Sequence, residues 1–225
     1  MKIRILRQQT PDSEPYWETF EYGGPQDNSV AGALDYLNYN DDITDIDGQR
    51  TTRIGWDCSC LQGICGACAM VINGQPALAC ETFVRDIKGD IELRPLRKFP
   101  VIHDLVVDRS SIHENLKAAN VCIGEYQPAA DGDHAHMYAA AKCLKCGLCL
   151  EVCPNYVNGH TFFGAAFAND CDLVASRNRS KAKPIRAIYA EHFGRDCSKA
   201  LSCMEVCPMK ISTLASMARL NRLTR

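Results

Sequence analysis

Fourteen cysteines in a chain of 225 residues are its densest concentration of reactive side chains, and they fall in groups. Cys58, Cys60, Cys65, Cys68 and Cys80 form the first; Cys143, Cys146, Cys149 and Cys153 the second; Cys197, Cys203 and Cys207 the third; Cys122 and Cys171 stand apart. The opening MKIRILRQQT is interrupted by charge and has no apolar signal core, so the expectation is an unexported protein with reduced thiols. Grouped, reduced thiols point to metal ligation rather than to a disulfide framework.

Within the first group, the order Cys60-x4-Cys65-x2-Cys68 completed by Cys80 is the plant-type arrangement for a 2Fe–2S cluster. Two sulfide-bridged irons need four thiolates arriving from different directions. Gly63 and Gly66 let the loop wrap closely and aim its amides at sulfur. Taking Cys58 in place of Cys60 loses the motif, so Cys58 is read as a spare thiol. Structural zinc usually uses two separated cysteine pairs, which this loop does not resemble.

Residues 143–154 read CLKCGLCLEVCP, the bacterial ferredoxin run in which the fourth cysteine ligates the other cluster of a pair. Reciprocity with Cys197-x5-Cys203-x3-Cys207-Pro208 then assigns Cys143, Cys146, Cys149 and Cys207 to one cluster and Cys153, Cys197 and Cys203 to another. A full run would place a cysteine midway between Cys197 and Cys203, where this chain has Ala200. Alanine cannot bind iron, so three thiolates predict 3Fe–4S beside 4Fe–4S.

The elements that must carry these loops divide into two regions. Ile3 and Ile5 alternate with charge as in a half-buried strand, and Tyr16 to Tyr22 is a fitting antiparallel partner. Asn28 or Ser29 caps an expected helix with Val30, Leu34 and Leu37 on one face. AMVI, Asn73-Gly74 and QPALAC read as a hairpin, and Ile91 to Leu93 as a further strand. Helical signals then follow: Leu105 to Ala118 with an interruption at Asp108 to Ser111, Thr161 to Asp170, Lys183 to Phe193, and Ile211 to Leu220. Ala129 to His136 reads as a loop. The expected fold class is α+β, with a sheet domain over 1–104 and an all-α domain over 105–225.

A hydrophobic share of 46 % with 23 % charge is that of a globular chain, which excludes wholesale disorder. A net charge of −2 argues against nucleic-acid binding, and no apolar stretch is long enough for a membrane span. No dinucleotide fingerprint, P-loop or nucleophile elbow is present, so substrate chemistry must come from a partner. Three clusters in one chain make an electron wire.

The segments CLQGICGACAMVINGQPALAC (60–80), PLRKFPVIHDLVVD (95–108), CLKCGLCLEVCP and CSKALSCMEVCP (197–208) occur in one order over most of the chain. In these the sequence resembles the iron–sulfur subunit of the succinate dehydrogenase / quinol:fumarate reductase family. The resemblance implies a β-grasp domain holding 2Fe–2S and a helical ferredoxin domain holding 4Fe–4S and 3Fe–4S, with the ligand partition above. It further implies an FAD-containing flavoprotein partner and a quinone-reactive membrane anchor, often bearing haem b. The chain would then be held peripherally at the cytoplasmic face of the cytoplasmic membrane. Ubiquinone-reducing members carry a Trp pair shortly after the first C-P; CPNYVNGH here has Val157 and Asn158, which leans toward menaquinone.

Other features have plainer readings. Asp133, His134 and His136 are read as a polar loop rather than a metal patch. The basic run from Arg177 to Arg186 is read as solvated, with anionic lipid or the anchor subunit as the other reading. Phe162, Phe163 and Phe167 are expected in the core, and Pro154 and Pro208 at helix starts. Leu214, Met217 and Leu220 share a face that is either core or docking surface. A related wire serving a thiol-linked fumarate reductase or a glycolate-type dehydrogenase is the second reading within redox chemistry. A structural zinc interaction module is the reading from another class, separated by colour: brown for iron–sulfur, none for zinc.

Overall fold

The structure, a computed structural model, describes residues 1–39, 42–122, 124 and 134–222. It forms two compact units, Met1–Asp108 and Arg109–Arg225.

In the first unit the chain runs β1 (Lys2–Arg7), β2 (Tyr16–Glu21), α1 (Val30–Asn38), β3 (Ile43–Thr44), β4 (Arg50–Thr51), β5 (Ala69–Ile72), β6 (Gln75–Leu78), β7 (Ile91–Arg94), β8 (Val101–His103) and β9 (Val106–Val107). The main sheet has the order β2-β1-β7-β5-β6. β1 pairs antiparallel with β2 and parallel with β7, with Ile3 opposite Ile91 and Ile5 opposite Leu93. All four of these side chains are fully buried, as the period-2 pattern requires. The same parity puts Arg7 on the core face, so a buried arginine must find partners there. The Ser29 hydroxyl accepts from the Gly32 amide at 3.2 Å and starts α1, whose Val30, Ala31, Ala33 and Leu34 are buried. Asn73 and Gly74 have φ of 46° and 80°, the two left-handed residues of the turn that suits hairpin twist.

The expected helix from Leu105 begins instead at Ser110. β8 and β9 form a hairpin whose turn has Asp104 at φ 49°, and the valines at 101, 106 and 107 favour strand. This hairpin keeps residues 105–108 within the first unit, whereas the sequence reading divided the chain at 104/105.

The second unit contains α2 (Ser110–Ala118), α3 (His134–Ala141), α4 (Leu148–Glu151), α5 (Gly164–Arg177), α6 (Arg179–Tyr189), a π-turn at Ala190–Gly194, α7 (Ser202–Glu205) and α8 (Thr213–Arg222). α5 is its hub, buried continuously from Gly164 to Asp172 and packed against α2, α3, α4, α6 and α8. Gly164 starts it at φ 79° directly over Leu150, where a Cβ would collide with the leucine side chain. The expected helix ends at Asp170, but α5 continues to Arg177, because Asn169, Asp170 and Asp172 are buried, each with a partner on another segment. α6 starts earlier than Lys183 because Asn178 caps it, accepting from the Lys181 amide at 3.1 Å. The expected Ile211–Leu220 helix runs over Thr213–Arg222. His134 to His136 open α3 rather than closing a loop, and residues 129–133 of that expected loop lie outside the described residues. Pro154 and Pro208 enter turns, not helices. Phe162 and Phe167 are core, with Phe162 stacked on Phe193 at 5.2 Å. Met217 and Leu220 face the core while Leu214 is exposed.

Candidate metal centres

The first cysteine loop is held at both ends. β6 delivers Cys80 two residues beyond its last residue, in a short 3-10 turn at Ala79–Glu81. The segment entering the loop is pinned by α1, since the Asn38 amide donates to Ile54 O at 2.9 Å and accepts from Ile54 N at 2.8 Å. Asp104 takes the next amide, Gly55 N, at 2.8 Å, and the Gln8 amide at 3.0 Å. Its carboxylate faces Arg7 Nε at 3.0 Å, with both side chains fully buried. Arg7 reaches onward to Glu18, to Thr52 Oγ1 at 3.1 Å and to Arg53 O at 3.1 Å. One buried ion pair therefore ties β1, the β8–β9 turn and the approach to Cys60 together.

Leu61, Gly63 and Gly66 take φ of 54°, 72° and 78°, turning loop amides toward sulfur. Gln62 N donates to Cys60 Sγ at 3.3 Å, Gly63 N to Cys80 Sγ at 3.2 Å and Ala67 N to Cys65 Sγ at 3.5 Å. A Cβ on Gly63 would stand 2.7 Å from the Glu81 carboxyl, so only glycine fits. Cys68 and Cys80 sulfurs are 3.4 Å apart and buried. The Gln62 amide, helped by Cys65, lowers the Cys60 thiol to about 7, while burial and the Cys68 contact push Cys80 up to about 12. Thiols this crowded cannot all ionise without cations among them, which is the requirement of a metal cluster. Cys58 is exposed, and desolvation together with Asp35 and Asp57 raises its thiol.

In the second unit the cysteines wall two cavities. One, the larger, is lined by Cys143, Cys146, Cys149 and Cys207, and also by Cys203. The other is lined by Cys153, Cys197 and Cys203, with Ala200 on its wall. Ala165 of α5 borders both, its small side chain leaving room on either side. Burial raises Cys146 to about 11 and Cys149 further, so these thiols need cations to ionise. Among the described residues no three His, Cys, Asp or Glu side chains gather as one ion would require. Sulfurs spread around a cavity suit a polynuclear centre, in which each thiolate has its own iron.

The two loops repeat one backbone. Lys145 and Gly147 have φ of 56° and 87°, Lys199 and Leu201 φ of 59° and 61°, and each pair leads into a four-residue helix, α4 or α7. Cys146 and Ala200 are thus equivalent positions, and the second loop keeps the shape of a ligand loop without the ligand. Lys145, which sequence reasoning passed over, lies beside the first cavity with its ammonium 2.7 Å from Asp170 Oδ1. Its signal was available in the matched CLKC and CSKA segments, although nothing in them told which lysine would be buried.

The remaining candidates separate from these sites. His136 pairs with Asp172 at 2.7 Å, and Asp172 also accepts from Arg219 Nε at 3.1 Å, so His136 belongs to a polar network between α3, α5 and α8. His134 is exposed, and Asp133 lies outside the described residues. Cys171 is fully buried, and burial raises its thiol far out of the reactive range. Cys122 is exposed and receives Lys181 Nζ at 2.9 Å, so that lysine of the basic run is engaged rather than simply solvated. Val157 is half exposed, and Asn158 accepts from the buried Tyr156 hydroxyl at 3.1 Å.

Comparison with known proteins adds the following. A 2Fe–2S iron–sulfur cluster binding domain family matches residues 2–114, and a 4Fe–4S dicluster domain family matches residues 139–211. The chain is 35 % identical to the succinate dehydrogenase iron–sulfur subunit of Bacillus subtilis, over 99 % of this chain and 91 % of that one. It is 32 % identical to the fumarate reductase iron–sulfur subunit of Haemophilus influenzae, over 94 % and 88 % respectively. In fold it is similar to a chain of the Mycobacterium smegmatis Sdh1 complex, with a TM-score of 0.73 and 24 % identity over 100 % of this chain and 97 % of that one.

Proposed function

The chain belongs to the iron–sulfur subunits of the succinate dehydrogenase / fumarate reductase family and is an electron-transfer subunit; from that premise we propose how its residues divide the work. Cys60, Cys65, Cys68 and Cys80 hold 2Fe–2S; Cys143, Cys146, Cys149 and Cys207 hold 4Fe–4S; Cys153, Cys197 and Cys203 hold 3Fe–4S. Each group, when bound, takes up and gives back one electron with little rearrangement. The protein supplies thiolates in place, amides aimed at sulfur and a dry surround, all of which limit the reorganisation that electron transfer requires.

The observation that carries this reading is the pair of matched loops around two cysteine-walled cavities, one with Cys146 and the other with Ala200 at the equivalent position. A three-thiolate set supports a 3Fe–4S centre, and Cys203, which borders both cavities, is assigned there by the ferredoxin run. The partners are an FAD-containing flavoprotein acting on succinate or fumarate and a membrane anchor carrying quinone. No helix among the described residues is long and apolar enough to cross a membrane, so attachment at the cytoplasmic face of the cytoplasmic membrane is through that anchor. Val157 and Asn158 support a menaquinone-type site over the Trp-bearing ubiquinone kind.

The test is purification of the native complex followed by succinate addition under anaerobic conditions. Co-purification of a flavoprotein, with clusters of this chain reduced by succinate, is expected. A flavoprotein indifferent to succinate and fumarate, which oxidises another donor through this chain, contradicts the assignment of partner.

A further inference from the structure

Lys145 stands out because its cationic side chain is only 20 % exposed and is paired with a carboxylate from the core, an uncommon place for lysine. It lies inside the Cys143–Cys146 spacing, in the left-handed conformation at φ 56°, and lines the larger cavity. Its ammonium is 2.6 Å from Asp170 Oδ2 and 2.7 Å from Asp170 Oδ1, and it lines the same cavity as Cys143. Asp170 comes from α5, the most buried helix of the unit, so the ammonium is fixed from the core side. Lys199 holds the equivalent place in the second loop and is exposed, where water screens its charge. The two cavities therefore differ in one ion-paired, half-buried positive charge as well as in Cys146 against Ala200.

We propose that Lys145, anchored by Asp170, is a positioning residue that raises the reduction potential of the centre held by Cys143, Cys146, Cys149 and Cys207. This rests on the ligand assignment above. A fixed cation beside thiolate sulfur stabilises the state with one more electron, and a hydrogen bond to that sulfur acts in the same direction. The contact with Asp170 fixes the ammonium at this place on the cavity wall.

The test is an EPR-monitored redox titration of the whole complex carrying Lys145→Met, with the 2Fe–2S midpoint as internal reference. The 4Fe–4S midpoint is expected to move to lower potential while the 2Fe–2S midpoint stays in place, and Lys145→Arg is expected to restore it. An unmoved 4Fe–4S midpoint, or equal movement of both centres, overturns the proposal. If Lys145→Met loses iron, Lys145→Gln keeps a donor without the charge and must show the same downward shift. Iron loss in both neutral variants but not in Lys145→Arg makes the lysine a scaffold for the loop and also overturns the proposal. Absence of a 4Fe–4S signal from the unsubstituted complex contradicts the ligand assignment instead.

Discussion

Replacing Asp104 by alanine removes the fully buried carboxylate that meets Arg7 in the core of the first unit. Both side chains are fully buried, and Asp104 also accepts from the Gln8 and Gly55 amides at 3.0 and 2.8 Å. Breaking a buried pair by deleting one partner costs about 3–5 kcal/mol, because a charge is left without compensation. Each amide stripped of its acceptor adds roughly 1–3 kcal/mol where water does not reach it. Arg7 keeps Glu18, Thr52 and Arg53, which moderates the loss, so the expected net cost is about 4 kcal/mol. For a unit of this size that corresponds to a fall in melting temperature of roughly 15–30 °C. Thermal unfolding of the anaerobically prepared holoprotein measures the fall, and iron retention reports the Gly55 end of the contact. The triple variant Arg7→Met, Asp104→Leu and Glu18→Gln, which removes the cation together with both of its carboxylates, is expected to be milder than Asp104→Ala. A single-variant loss below about 1 kcal/mol, or a triple variant no milder than the single, refutes the account of this clamp.

Ala200→Cys places a fourth thiol on the wall of the smaller cavity, on a loop that already has the backbone of the first. It is expected to add one iron per chain and abolish the 3Fe–4S signal of the oxidised protein, as read by iron assay and EPR. Gly63→Ala puts a β-carbon against Glu81 at φ 72°, and its strain of roughly 1–2 kcal/mol falls on the cluster loop. Visible absorption and iron content should show selective loss of 2Fe–2S. Alkylation of the folded holoprotein, mapped by mass spectrometry, should label exposed Cys122 and spare buried Cys171, whose thiol burial holds in the protonated form. Labelling of Cys171 before unfolding contradicts its placement in the core.

The cysteine-bearing loops were legible because they are local: spacing within a dozen residues specifies them, and glycine marks where the chain must turn back. The sheet was legible from period-2 alternation and Asn73-Gly74. What was hidden is non-local. The pairing of Arg7 with Asp104 joins residues far apart in sequence, so parity foretells a buried arginine but not its acceptor. α5 runs past the expected end at Asp170 for the same reason, since the partners of Asp170 and Asp172, namely Lys145, His136 and Arg219, are distant in sequence. The expected helix starts at Leu105, inside this hairpin, because three residues of β8 and two of β9 are too few for a periodic pattern to declare itself.

The central claim is that this one chain carries three centres with eleven cysteine ligands in the division given above. Iron and acid-labile sulfide per chain on anaerobically purified protein, with EPR of oxidised and reduced samples, tests it most directly. The expected result is about nine irons, a 3Fe–4S signal on oxidation and a 2Fe–2S signal on reduction. About ten irons without the oxidised 3Fe–4S signal would mean that another group replaces the ligand missing at Ala200. Zinc without sulfide would contradict the account altogether.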